Sequence, residues 1–281
     1  MDRLSALFNH FSPRAVTFHS GELCGISNFE DDAKLGYIHL VQSGELHIFH
    51  GDQALDTVTV PSVLFYPRPC CHRLVAAPHS ETRTLCASID LGHATGNPLC
   101  SALPDLLIIP FHAIPNLLPT LDILFTEAAG DHCGRQVALD RLMEYFLVLL
   151  LRHLIDAKEI TAGILAGLGD AKLAKAIIAI HERPEFPWHL EQLADEANMS
   201  RARFAAHFRE LVGMTPMDYL TDWRLGVAQT LLRRGKSVKA VAPRVGYCSP
   251  TAFSRIFARK LGVAPSAWQE SHCAGGVRPY N

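Results

Sequence analysis

The sequence predicts an α+β chain: an N-terminal antiparallel β-barrel followed by an all-α C-terminal domain with two helix-turn-helix units. Three observations lead there. Short segments of alternating hydrophobicity, separated by turn residues, recur between residues 14 and 110. A helical unit between Leu190 and Trp268 occurs twice at a constant offset. The net charge of the 281-residue chain is only −2, yet residues 171–270 hold 15 Lys and Arg against 9 Asp and Glu, and residues 1–170 hold 10 against 19. A basic C-terminal part beside an acidic N-terminal one is what phosphate attraction by one domain alone would produce.

The barrel segments come first. Tyr37 to Val41, Gly44 to Phe49, Thr57 to Val60, Val63 to Tyr66 and Thr84 to Ile89 read as strands, and Gly51-Asp52 makes a hairpin turn between two of them. Many short strands at even spacing suggest an antiparallel barrel or jelly roll. The start, Met1 to Phe8, is amphipathic and lacks the basic stretch and apolar core of a signal peptide. The apolar run Phe146 to Leu151 is far shorter than the ~18 residues of a membrane span, so the expectation is a cytoplasmic protein with no membrane partner.

Residues 111–134, with Pro115, Pro119 and Gly130, read as a connection containing a short helix. From Gln136 to Ala157 the spacing of Val137, Leu142, Phe146, Leu149, Leu150 and Leu154 is helical. A helix apolar over most of its surface must be buried, either by packing within its domain alone or also by forming a dimer interface. Glu159 to Gly169, with three glycines, reads as the interdomain linker. The expected organisation is therefore a barrel domain over 1–134, a helical segment and linker over 135–169, a domain with the two helix-turn-helix units over 170–270 and a disordered tail over 271–281.

The repeat is the firmest element. Phe204, Phe208, Gly213 and Pro216 recur as Phe253, Phe257, Gly262 and Pro265, each 49 positions later. Ser200 and Ser249 stand where a side-chain oxygen caps a helix start, Pro250 follows at the first helical position, and the glycines end the helices in the left-handed region. The Phe pairs at i, i+4 are core. Ahead of each copy lies a short apolar-periodic segment, Leu190 to Met199 and Val238 to Tyr247. Helix, turn, capped helix is the helix-turn-helix layout, whose second helix places its N-terminal residues against base edges.

Ala242, Val245-Gly246-Tyr247, Ser249, Phe253-Ser254-Arg255, Phe257, Gly262 and Pro265 together resemble the signature of the AraC/XylS transcriptional regulators, and the first copy matches the weaker half of that pattern. The resemblance implies a long central helix, here about Pro216 to Arg234, that aligns both recognition helices on one face of the duplex. It departs at Pro243, which should kink or shorten its helix, and at Trp268-Gln269, where the family carries an aromatic followed by Arg. On this reading Arg201, Ala202, Ala205, Thr251, Ala252 and Arg255 approach base edges, while Arg209, Arg259 and Lys260 meet phosphates. Double-stranded promoter DNA, RNA polymerase and a second copy of the chain are the implied partners.

His39 to Gly44, Pro61 and Pro67 to Leu74 are similar to the cupin-type sensor domains found ahead of such DNA-binding units. Cupin enzymes hold a metal with two closely spaced His, a Glu and a further His; here His39 has no such neighbour and Tyr37 takes the adjacent inward place, so no catalytic centre is expected. A metal-dependent enzyme with a DNA-binding module, and a scaffolding protein that binds DNA without discrimination, are the competing classes. The eight cysteines fit neither a structural disulfide framework nor a zinc finger. Cys24 and Cys86 fall where a branch of reactive-chlorine-responsive regulators carries its sensing thiols; as buried small hydrophobes they would be inert. Cys100, Cys133 and Cys248 read as packing. A third reading joins Cys24, His39, His72 and Cys86 as Zn or Cu ligands, and a small organic ligand of the barrel is the alternative signal.

Overall fold

The computed structural model describes residues 2–30, 35–92, 99 and 102–273. Two compact units emerge, one of Pro13–Gly92 with Leu103–Glu159 and one of Met1–Ser12, His93–Ala102 and Ile160–Asn281.

The first unit holds two antiparallel sheets. One has the order β1 (Arg14–Glu22), β8 (Arg83–Asp90), β3 (Gly36–Ser43), β6 (Ser62–Tyr66), β9 (Leu107–Pro110). The other runs β2 (Ile26–Phe29), β7 (His72–Ala76), β4 (Leu46–His50), β5 (Gln53–Val58). Alternation along β4 and β7 turns Leu46, Ile48 and Leu74 inward, where they pack with Val41, Val58 and Leu64. The expected hairpin at Gly51-Asp52 joins β4 to β5, with His50 opposite Gln53.

After two single-turn 3₁₀ segments come α2 (Leu118–Ala129) and α3 (Arg135–Ala157), the latter packed against β1. Leu139, Met143, Phe146, Leu147 and Leu150 are buried. Polar clamps fix its seat: Gln136 Nε2 donates to the Thr17 carbonyl at 2.6 Å and Arg135 to Ser20 Oγ at 2.6 Å. On the opposite face Val137 and Tyr145 are 65% and 53% exposed.

The second unit is helical: α4 (Ile164–Gly169), α5 (Leu173–Glu182), α6 (Leu190–Glu196), α7 (Arg201–Val212), α8 (Pro216–Arg233), α9 (Val238–Arg244), α10 (Pro250–Leu261) and α11 (Pro265–Cys273). The repeat is realised as α6–α7 and α9–α10. Gly213 and Gly262 end the second helix of each at φ 86° and 76°. Ser249 Oγ accepts from the Ala252 amide at 3.1 Å, whereas Ser200, at the same place in the first copy, makes no side-chain cap. Pro243 sits one residue before the end of α9, which spans seven residues. None of the described helices is long and apolar enough to cross a membrane.

Two boundaries differ from expectation. The stretch taken for a linker contains α4, whose residues are largely buried. Two of its three glycines serve close packing: a Cβ on Gly167 would lie 2.8 Å from Ile177 Cδ1, and one on Gly163 3.0 Å from Ala102. The first helix, α1 (Ser5–Phe11), expected with the barrel, packs on α8 of the second unit. There Phe11 meets Trp223 edge-on at 5.4 Å and lies over Gly226, where a Cβ would come 3.1 Å from the Phe11 ring. Of the expected disordered tail, residues 271–273 continue α11, and residues 274–281 lie outside those described.

Candidate nucleic-acid interface and sensor site

In α10 the burial of Phe253 and Phe257 turns Thr251, Ala252, Arg255 and Arg259 outward, and all four are exposed as the sequence predicts. In α7 Arg201, Ala202 and Arg209 are exposed, while Ala205 is half-buried. The sequence reading passed over Arg203 and Ala206, both exposed; only the helical angle set by the buried Phe204 and Phe208 identifies them. Two of the basic groups are engaged within the chain. Arg201 Nη1 pairs with Glu191 at 2.8 Å, and Lys260 Nζ pairs with Asp222 of α8 at 2.8 Å.

The spacing of the two recognition helices rests on α8 and its partners. Arg224 donates from Nε to the Pro184 carbonyl and from Nη2 to the Phe186 carbonyl, both at 2.7 Å. Its guanidinium also sits 5.7 Å from the Tyr247 ring centroid and against Gly246, whose φ is +78°. One side chain thus links the segment before the first helix-turn-helix unit to the turn of the second. Beneath it His181 stacks on Trp223 at 3.8 Å and shares a hydrogen bond of 2.5 Å with Tyr219; burial holds the imidazole down at about 3.

In the barrel, alternation on β3 and the start of β7 sends His39 and His72 inward. They converge on each other, Nε2 to Nε2 at 2.9 Å. His72 donates from Nδ1 to the Cys70 carbonyl at 2.9 Å and is held between the rings of Tyr66, 3.9 Å away, and Phe29, 4.7 Å away. Burial drives both imidazoles toward the neutral form, His72 to about 4 and His39 well below its ordinary value. One neutral ring donates to the other. His39 Nδ1 is buried with no hydrogen-bond partner among the described residues.

The Zn or Cu site expected from Cys24, His39, His72 and Cys86 is not assembled. Among the described residues no group of three or more His, Cys, Asp and Glu side chains could hold a metal ion. The reason lies in the pair itself: the two Nε2 atoms face each other, and the remaining nitrogen of His72 is taken by a backbone carbonyl.

Cys24 and Cys86 do share a location. Both line a cavity of about 440 Å³ together with His19, Phe18 and Phe29. Cys24 is exposed, whereas Cys86 is buried and its thiol pushed up to about 12. His19 stands directly across from Cys86 in the β1–β8 ladder, next to a register shift, and its Nε2 is buried without a partner among the described residues. His19 escaped the sequence reading because β1 offered no clean alternation. Cys133 and Cys248, expected to be packing residues, are exposed; Cys100 lies outside the described residues.

A family model described as Cupin matches residues 2–156, and one described as Helix-turn-helix domain matches residues 193–271. An uncharacterized HTH-type transcriptional regulator of Haemophilus influenzae is 32% identical over 271 residues, covering 88% of this chain and 90% of its own length. The RCS-specific HTH-type transcriptional activator RclR of Escherichia coli is 30% identical, with 76% and 77% of the two chains covered. The HTH-type regulator AlkR of Acinetobacter baylyi is 32% identical, with 84% and 79% covered. Among solved structures, the DNA-binding domain of AdpA in complex with a target DNA is 36% identical over 37% of this chain and 95% of its own, at a TM-score of 0.35.

Proposed function

The chain belongs to the AraC family of transcriptional regulators, with a cupin domain ahead of its helix-turn-helix domain, and from that premise we propose that it is a cytoplasmic, non-enzymatic dimer that senses an oxidant through Cys24 and Cys86. The observation that carries the signal is the shared cavity: an exposed thiol, a buried thiol and an unpartnered imidazole line one space. The description of RclR as RCS-specific supports the same reading.

The chemistry divides the roles. Hypochlorous acid or a peroxide transfers oxygen to Cys24, giving a sulfenic acid and releasing chloride or water. The Cys86 sulfur then attacks the Cys24 sulfur, His19 relays the Cys86 proton to the departing hydroxyl, which leaves as water, and a disulfide forms as the two thiols lose two electrons to the oxidant. Cys86, with its raised pKa, is the resolving thiol and not the first to react. The exposed Val137 and Tyr145 of α3 support dimerisation through that face, and RNA polymerase is the partner through which such a regulator activates.

DNA sequences selected by the protein from a random pool provide the test ligand. Oxidation should change affinity for them in the wild type and leave Cys24→Ser and Cys86→Ser unchanged. Equal responses in all three would overturn the thiol reading. A second reading then stands ready, in which a small polar molecule fills the cavity of about 660 Å³ lined by Gln42, Arg83, Asp122 and Phe125.

A further inference from the structure

A second thiol site lies elsewhere in the first unit. The loop after β6 carries Cys70 beside the end of β4, where Cys70 Sγ lies 3.9 Å from His50 Nε2, within reach of an S–H···N hydrogen bond. Both residues line a cavity of about 530 Å³ walled by Leu55, Leu106 and Ile108, with Asp105 at its edge. Tyr66, whose hydroxyl is 3.4 Å from the same Nε2, keeps its proton because burial raises its pKa, which leaves His50 as the base of this corner.

A thiol, a base and an apolar wall form a set that a mere packing cysteine does not need. An inorganic oxidant gains nothing from Leu55, Leu106 and Ile108, whereas an organic electrophile with a hydrocarbon tail removes that tail from water there. We propose that Cys70, with His50 as its base, is an alkylation site for apolar α,β-unsaturated carbonyl compounds. The thiol proton passes to His50 Nε2. The sulfur forms a bond to the β-carbon, and the electron pair of the C=C bond moves onto the carbonyl as an enolate. The α-carbon recovers the proton from the imidazolium, so the addition balances without oxidant or reductant. The adduct sits at a point of leverage, since the Cys70 carbonyl accepts the hydrogen bond that orients His72 inside the barrel.

The test exposes the full-length reduced protein to trans-2-hexenal and to acrolein, which lacks the tail, and maps adducts by peptide mass. Cys70 should react with hexenal roughly tenfold or more faster than the exposed Cys133, His50→Gln should remove most of that advantage, and reaction at Cys24 should be unchanged. Leu55→Ser should slow hexenal at Cys70 and leave acrolein unaffected. Near-ultraviolet circular dichroism confirms that each variant is folded. Cys70 reacting no faster than Cys133, or indifferent to His50→Gln, overturns the proposal, and a tail-independent rate overturns the apolar part of it. Because Cys24→Ser/Cys86→Ser retains Cys70, the same mapping on that variant separates this site from the oxidant response.

Discussion

Arg224 offers a direct test of how the two recognition helices are held. Its guanidinium spans two backbone carbonyls, Pro184 and Phe186, at 2.7 Å each. Hydrogen bonds from charged donors contribute about 1.5–3 kcal/mol apiece. The group is partly open to solvent, so the lower end applies and Arg224→Ala should cost about 3 kcal/mol. The three tryptophans, Trp188, Trp223 and Trp268, all lie in the DNA-binding unit. Urea unfolding followed by tryptophan fluorescence therefore reads that unit without interference from the barrel. Arg224→Lys should recover less than half, since one ammonium cannot reproduce a planar fork. Affinity for a two-half-site DNA should fall further than stability alone explains, because the turn at Gly246 and Tyr247 loses its support. A loss under about 1 kcal/mol, or a Lys variant equal to wild type, would refute the argument, since water would then satisfy both carbonyls.

Phe11→Ala should destabilise the same unit by about 3–5 kcal/mol in the fluorescence assay, as it opens a cavity over Gly226 and Trp223. Acid should act on His181: burial lowers its pKa to about 3, so between pH 6.5 and that value the unfolded chain binds the extra proton. Stability present above pH 6.5 is lost on acidification, by about 3 kcal/mol at pH 4.5, and His181→Gln should flatten that slope. Arg255→Ala should weaken specific binding by about 1–3 kcal/mol and relax base preference, as measured on promoter variants. Arg259→Ala should reduce the salt dependence of DNA binding by about one phosphate contact, whereas Lys260→Ala, whose ammonium is paired with Asp222, should change it little.

The DNA-binding unit was readable because its rules are local. Phe at i, i+4, glycine at the helix end and proline after it act within a dozen residues, and both copies obey them. The turn at Gly51-Asp52 was readable for the same reason, although the strand after it, expected over Thr57 to Val60, runs from Gln53 to Val58. Ser200 was overread: residue type marks the cap position in both copies, yet only Ser249 makes the side-chain bond. The resemblance to cupin sensor domains grouped His39 and His72 as candidate ligands but carried no trace of the 2.9 Å approach between them, which depends on how two sheets face each other. The glycines of α4 have the composition of a linker, and only the Ile177 and Val212 side chains packed against Gly167 reveal another purpose. Cys70 with His50, and Cys86 with His19, are meetings across strands, invisible without the register.

The position of α1 has a consequence for how the chain is made. The helix that covers Trp223 and Gly226 leaves the ribosome about two hundred residues ahead of its partner helix, which begins at Pro216. Leu7 and Phe11, both buried in the finished molecule, must stay unburied while the whole barrel is synthesised. A long wait for a distant partner slows folding and leaves apolar surface open to aggregation or chaperones. A fragment beginning at residue 160 would never complete that late step.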